Sequence, residues 1–297
     1  MTYKDFLYLY SSTNQGIKMN ILKITLITVL ASLSATLYGG YKYANFSNNV
    51  AEAKEAGYDG IQVNSFRGKQ EDTSVFPESE IKRLKSQLKK HNMQICSVCT
   101  PCYHKFLFEE DKNVIPYMKS VIDFTAEVGA DNILVPFFGK SSLYQKNSRK
   151  LRTERLEPLV KLIKEVAKYA ATKNVVIALE TTLNSTDHIK ILDMINEPNV
   201  KVYFDTLNIV YAGEQPEVAI KNLGKDRIAQ IHIKANAEYF DEAKQPMNFD
   251  KCFQTIVDSG YDGWLVLEQG TKRKVHTNME IITHNLKFFK SSVLEKK

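Results

Sequence analysis

The sequence predicts a single (β/α)8 barrel, and three observations carry that prediction. Short apolar runs rich in β-branched residues alternate with amphipathic stretches eight times along the chain. No linker, low-complexity segment or composition break interrupts the alternation. Four of the runs, VVIALE, VKVYFD, IAQIH and GWLVLE, close on a polar side chain: Glu180, Asp205, His232 and Glu268. Polar residues at the C-terminal ends of barrel strands form sites, whereas the buried runs before them form core. A doubly wound open sheet is the competing architecture, but no glycine-rich phosphate loop follows the first run to support it.

Each element follows in order. Residues 21–30 (ILKITLITVL) are read as strand 1, which places a barrel over residues 19–297 and leaves residues 1–18 as an N-terminal extension. NNVAEAKEAG gives helix 1, closed by Gly57, and GIQVNSF gives strand 2. Pro77 opens helix 2, whose Ile81, Leu84 and Leu88 recur at helical spacing. MQICSV is strand 3, residues 111–128 are helix 3, NILVPFF is strand 4 and RTERLEPLVKLIKEVAKYAATKN is helix 4. The second half continues with VVIALE and a short helix at 187–195, then KVYFD and a helix near 216–223. IAQIHIK precedes a helix at 249–259, and GWLVLE precedes a last helix at 275–291.

Composition sets limits on function. The chain has 297 residues, 43% hydrophobic and 25% charged, within the range of one globular barrel. A net charge of +6, spread along the sequence, does not demand a nucleic-acid partner. Cys96, Cys99 and Cys102 form a C-x2-C-x2-C pattern with no fourth ligand at cluster spacing, so the set reads as small buried thiols of a reduced cytoplasmic chain. Residues 19–35 also resemble an export signal, with Lys18 and Lys23 ahead of an apolar stretch. Taking 21–30 as strand 1 argues against that alternative, because cleavage near Ala35 would remove the strand. The apolar run is short for a membrane span.

The four strand-end residues supply three carboxylates and one imidazole, an O/N donor set suited to one divalent cation such as Mn, Mg, Co or Zn. Such a site carries a formal charge near −1 and can polarise carbonyl and hydroxyl oxygens. Two glutamates on different strands can stand on opposite faces of a carbon, one removing a proton and the other returning it through an enediolate. Alternation places Gln230, His232 and Lys234 on one face of strand 7, so Lys234 leans into the same mouth.

These residues resemble the sugar-phosphate isomerase/epimerase superfamily of xylose isomerase-like barrels. The matching segments are AEAKEAGYDGIQV, IALET, VYFDTLN, IHIK and SGYDGWLVLEQ, within roughly residues 20–290. That group includes ketose 3-epimerases, hydroxypyruvate isomerase, inosose-processing enzymes and, more distantly, endonuclease IV-type nucleases. The resemblance implies that Glu180, Asp205, His232 and Glu268 hold the metal and that Glu180 and Glu268 double as the acid/base pair. It implies an isomerase or epimerase of a small sugar or sugar phosphate, with an inosose dehydratase-like lyase as the alternative. An abasic-site nuclease and a non-catalytic sugar- or metal-binding barrel rank below both. Departures from the pattern withhold the substrate. Asn208 stands where relatives often carry histidine, no arginine follows the strand-7 histidine, and strands 2 and 4 lack the histidines of the three-metal nucleases.

Further substrate contacts are expected from Lys234, Asn208 and His104, and from two basic loops on the catalytic face. GKSSLYQKNSRKLR after strand 4 carries Lys140, Lys146, Arg149, Lys150 and Arg152 without an acid, and QGTKRK after strand 8 carries Lys272. Their charge suits an anionic carbohydrate, with solvated surface charge as the plainer alternative. Tyr103 is a weaker candidate beside His104, Trp264 reads as packing beneath the site, and the remaining histidines read as structural or exposed. The expected partner is a small carbohydrate, with neither nucleic acid nor membrane favoured and a homo-oligomer allowed.

Overall fold

A computed structural model describes residues 41–242, 245–269 and 276–294. Eight parallel strands close into one barrel in chain order. They are β1 (Lys42–Phe46), β2 (Gly60–Asn64), β3 (Gln94–Cys99), β4 (Asn132–Phe137), β5 (Val176–Thr181), β6 (Val200–Asp205), β7 (Ile228–Lys234) and β8 (Trp264–Glu268). β1 pairs with β8 through Ala44 and Val266, which removes both sheet edges. The helices are α1 (Val50–Ala56), α2 (Glu78–His91), α3 (Val114–Glu127), α4 (Thr153–Ala171), α5 (Ser185–Ile195), α6 (Thr206–Tyr211), α7 (Pro216–Leu223), α8 (Phe249–Asp258) and α9 (Asn278–Leu294). Among the described residues no helix is long and apolar enough to cross a membrane.

Most strand and helix assignments agree with the sequence reading to within a few residues. Strand 1 does not. It is KYANF at Lys42–Phe46 rather than residues 21–30, which lie outside the described residues. The physical reason is the connection. β1 reaches α1 across only three residues, a normal βα loop, whereas a strand ending at residue 30 would need a long structureless crossing. KYANF has no β-branched residue and one exposed lysine, so the stronger apolar run upstream outcompetes it in a pattern search. Because the barrel closes without residues 19–35, the objection to an export signal that rested on strand 1 falls away.

Packing inside the barrel alternates bulk and space. Trp264 is partly buried and packs against a cluster that includes Ala44, Cys96, Ala178 and Tyr203, as expected for a side chain beneath the site. Its ring fills the space left by Gly60 on β2. A Cβ at Gly60 would lie 2.7 Å from the Gln94 carbonyl oxygen and 2.8 Å from the Trp264 ring. Gly60 is therefore required for space rather than for an unusual φ. Gly60→Ala is expected to destabilise the barrel by about 1–3 kcal/mol, the usual cost of overpacking a filled interior, read as a lower urea midpoint at unchanged slope.

The thiols of the C-x2-C-x2-C segment are free and buried. Burial pushes Cys96 up to about 12 and Cys102 up to about 11, so both stay protonated and pack as apolar groups.

Candidate metal centre and active site

Strand register brings the four strand-end side chains together. Asp205 on β6 pairs with His232 on β7, and Lys234 on β7 pairs with Glu268 on β8. Glu180 is the penultimate residue of β5, next to Pro136 on β4. One donor atom from each of Glu180, Asp205, His232 and Glu268 lies within 4.8 Å of all the others. His232 Nδ1 stands at the centre, 3.1 Å from Glu180 Oε1, 3.2 Å from Glu268 Oε2 and 3.8 Å from Asp205 Oδ2.

Electrostatics show what this cage wants. Burial works against charge on the His232 imidazole, but the Glu180 and Glu268 carboxylates outweigh it and raise the ring to about 10. Burial likewise raises Asp205, to about 7, against the opposing pull of Lys234. Glu268 is buried too, yet its hydrogen bond to His232 and the charge of Lys234 hold it down to about 2. The cluster is an attractor for positive charge at the Nδ1 position.

A divalent cation fits these donors. Asp205 spends Oδ1 on the backbone N–H groups of Leu207 and Asn208, each at 2.8 Å, as the N-cap of α6. Its Oδ2 is buried and has no hydrogen-bond partner, an orphaned acceptor of the kind that a metal satisfies. Lys234 Nζ lies 2.7 Å from Glu268 Oε1 and 3.6 Å from Asp205 Oδ2. With Lys234 counted, a divalent ion would leave the site formally neutral, one charge above the value expected from the carboxylates alone.

The imidazole is held from below by a network the sequence reading did not assemble. His232 Nε2 sits 2.6 Å from Gln62 Oε1. The Gln62 amide nitrogen donates to Ser97 Oγ at 2.9 Å and to the Tyr203 hydroxyl at 3.0 Å. Tyr203 donates to Gln230 Oε1 at 2.9 Å, and the Gln230 amide nitrogen donates to the Cys96 carbonyl at 2.8 Å. A main-chain carbonyl can only accept, so the direction of every bond in the chain is fixed from that end. The chain terminates in Gln62 Oε1, which accepts a hydrogen bond from His232 Nε2–H. Nδ1 is thereby the nitrogen offered to a metal, the usual outer-shell device for a ligating histidine. Gln62 is legible in principle, since the one amide in the buried run GIQV must find a partner.

Other predicted residues divide between two cavities. A cavity of about 410 Å³ opens over the cluster and is lined by Glu180, Glu268, Lys234, Asn208 and His104, with Phe46, Asn64, Cys99 and Phe138 among the rest. Asn208 Nδ2 donates to Glu180 Oε1 at 3.2 Å, so the amide that replaces the expected histidine steadies a carboxylate. His104 packs edge-on to Phe138 at 5.4 Å. Tyr103 turns the other way and is fully buried against Arg67 and Asp111, which removes it as a substrate contact. Lys140 lines a separate, neighbouring cavity rather than this one. Lys272 lies outside the described residues.

Three other histidines have partners away from this cavity. His188 is buried against Thr181, and burial pushes it down to about 4, while His276 and His284 bond to Glu238 and Asp241.

The closed barrel and its strand-end cluster belong to a known class: the chain is a member of the xylose isomerase-like TIM barrel family, whose model matches residues 50–292. It is similar to the inosose dehydratase of Clostridium beijerinckii, 25% identical over 261 residues that cover 76% of this chain and 83% of that protein. The inosose dehydratase of Bacillus cereus strain AH820 is 26% identical over 258 residues, covering 75% and 81%. Among solved structures, the 3-keto-D-glucoside 4-epimerase of E. coli superposes with a TM-score of 0.68 at 17% identity, over 84% of this chain and 99% of that one. The D-allulose 3-epimerase of Methylomonas sp., in complex with D-allulose, superposes with a TM-score of 0.68 at 17% identity, over 85% and 97%.

Proposed function

We propose that the protein is a divalent-metal-dependent isomerase or epimerase of a small carbohydrate, acting by proton transfer at a carbon next to a carbonyl. One observation carries the reading: two glutamates from strands three apart in the ring, Glu180 and Glu268, flank a single buried cluster whose Asp205 Oδ2 lacks a hydrogen-bond partner. Glu180, Asp205, His232 and Glu268 would hold the ion. When bound, it would act as a Lewis acid that polarises a carbonyl or hydroxyl oxygen and acidifies the neighbouring C–H. Glu180 and Glu268 then serve as opposed base and acid, one on each face of the carbon. Lys234 neutralises Glu268 from the side and orients it, and Asn208 orients Glu180 by a hydrogen bond. The 410 Å³ cavity suits a substrate of monosaccharide size, and Phe46 and Phe138 give it apolar walls that limit water.

A dehydratase is the second reading, favoured by the sequence relatives named inosose dehydratase. The same proton removal next to a carbonyl can be followed by loss of a β-hydroxyl instead of reprotonation. Incubation with D-allulose, L-ribulose and an inosose in D2O, with Mn²⁺ or Co²⁺ present, separates the two. Deuterium incorporation at unchanged composition supports epimerisation, and loss of one water supports dehydration. Metal uptake without exchange at any substrate carbon would sink both. Saturating cation, at about 100 times its dissociation constant, is expected to stabilise the fold by about 2.7 kcal/mol, measured as a shift in thermal midpoint.

A further inference from the structure

The second cavity is larger than the first, about 840 Å³, and lies beside it on the same face of the barrel. The two are lined by neighbouring residues of the same strand ends. Phe138 lines one and Gly139 the other, Glu180 lines one and Thr182 the other, and Asn208 lines one and Tyr211, a turn later on α6, the other. Lys140, Lys146, Arg149 and Arg152 all border the second cavity, and no acidic residue does. Among the described residues only Arg152 of these four has an ion-pair partner, Glu154 at 3.4 Å.

The loop that carries them is built. Tyr144 and Leu151 form an antiparallel bridge, Gln145 N–H donates to the Lys150 carbonyl at 2.9 Å, and Arg152 N–H donates to the Leu143 carbonyl at 2.8 Å. Asn147 turns the tip with φ of 56°. The Tyr144 hydroxyl ties the hairpin to α5 through Asp187 at 2.6 Å, and buried Leu143 anchors its base. Arg149 is placed by a specific close approach. A Cβ at Gly213, which follows α6 with φ of 86°, would lie 2.1 Å from the Arg149 Cζ, so the guanidinium rests on bare backbone that only glycine provides. A planar fork of donors thus borders the second cavity together with Lys140 and Lys146, and no carboxylate lines it.

We infer that this hairpin cavity is an oxyanion subsite, which takes the phosphate or carboxylate group of an extended carbohydrate whose reacting carbon sits in the metal pocket, with Arg149 as its principal contact and Lys146 and Lys140 as supporting charges. The inference rests on the metal pocket being a carbohydrate site, but anion binding can be measured without any turnover. Calorimetric titration of the full chain with inorganic phosphate, and separately with acetate, at constant ionic strength distinguishes the two oxyanions. Saturable one-site binding is expected for the preferred ion, weakened about ten-fold or more in Arg149→Ala and less in Arg149→Lys, which keeps the charge and loses the fork. Glu180→Gln is expected to leave that binding intact, which separates failure of the subsite from failure of the metal chemistry. D-Fructose 6-phosphate should then bind more tightly than D-fructose in the parent protein and equally in Arg149→Ala. Non-saturating titration with both ions, equal binding by parent and Arg149→Ala, or no preference between the two sugars would overturn the inference.

Discussion

Glu180→Gln is expected to lower kcat by about 100- to 10,000-fold, the range a positioned general base supplies, with metal binding retained or only weakened. Glutamine keeps the shape and one acceptor oxygen, so the Asn208 and His232 contacts near 3.1–3.2 Å can persist. It cannot take a proton from carbon. Glu268→Gln should cost turnover on the same scale through the other face of the substrate. The pair makes a sharper statement than either alone. Each variant should still exchange solvent deuterium into one epimer, on the face that retains its carboxylate, while net epimerisation stops in both. Full activity in either variant, with metal content checked by elemental analysis, would remove that residue from the chemistry. Loss of exchange from both epimers in both variants would point instead to one glutamate that only holds the ion.

Gln62→Leu is the second large effect, and it lies outside any residue that would touch substrate. Its carboxamide oxygen is the acceptor for His232 Nε2, 2.6 Å away. Removing it frees the imidazole to change tautomer and rotate, and outer-shell losses of this kind cost about 10- to 100-fold in metal affinity. It also leaves the buried His232 Nε2–H without its acceptor, at about 1–3 kcal/mol for an unsatisfied buried polar group, while Tyr203 keeps its bonds to Gln230 and Ser97. Stability and metal affinity therefore fall together in this variant. Tyr203→Phe separates them. It keeps the ring packed between strands while cutting the chain in its middle, so the histidine keeps its Gln62 partner and loses only the device that orients it. A smaller drop in affinity is expected, with a visible-absorption change in the Co²⁺ form reporting the altered ligand field. Parent-like Co²⁺ spectra and affinity in both variants would show that His232 needs no outer shell.

Much of the site was legible because strand ends announce themselves. A buried run that closes on Glu, Asp or His has one polar side chain to place, and four such runs leave few arrangements. Lys234 was legible by alternation with His232, although its contact with Glu268 came from the β7–β8 register, which no single strand reveals. Asn208 departs from the pattern of its relatives in the sequence, but its role as a donor to Glu180 needs the fold. The first strand is hidden in the sequence because an apolar run upstream competes on pattern while KYANF succeeds on connectivity, and short buried strands carry little composition of their own. Tyr103 was misjudged for a related reason. Its neighbour His104 faces the mouth, and adjacent residues on a single turn of helix point apart. The Gln62–Tyr203–Gln230 chain joins β2, β6 and β7 across the barrel interior, a meeting that no local sequence pattern shows.

That chain begins at the oxygen of a peptide group, the Cys96 carbonyl. No side-chain replacement at position 96 can reverse it, because the group belongs to the main chain. Which nitrogen of His232 is left for a cation is therefore written into the barrel's backbone and transmitted by two amides and a phenol. Selection could vary the thiol without touching the message. It could erase the message only at the relays.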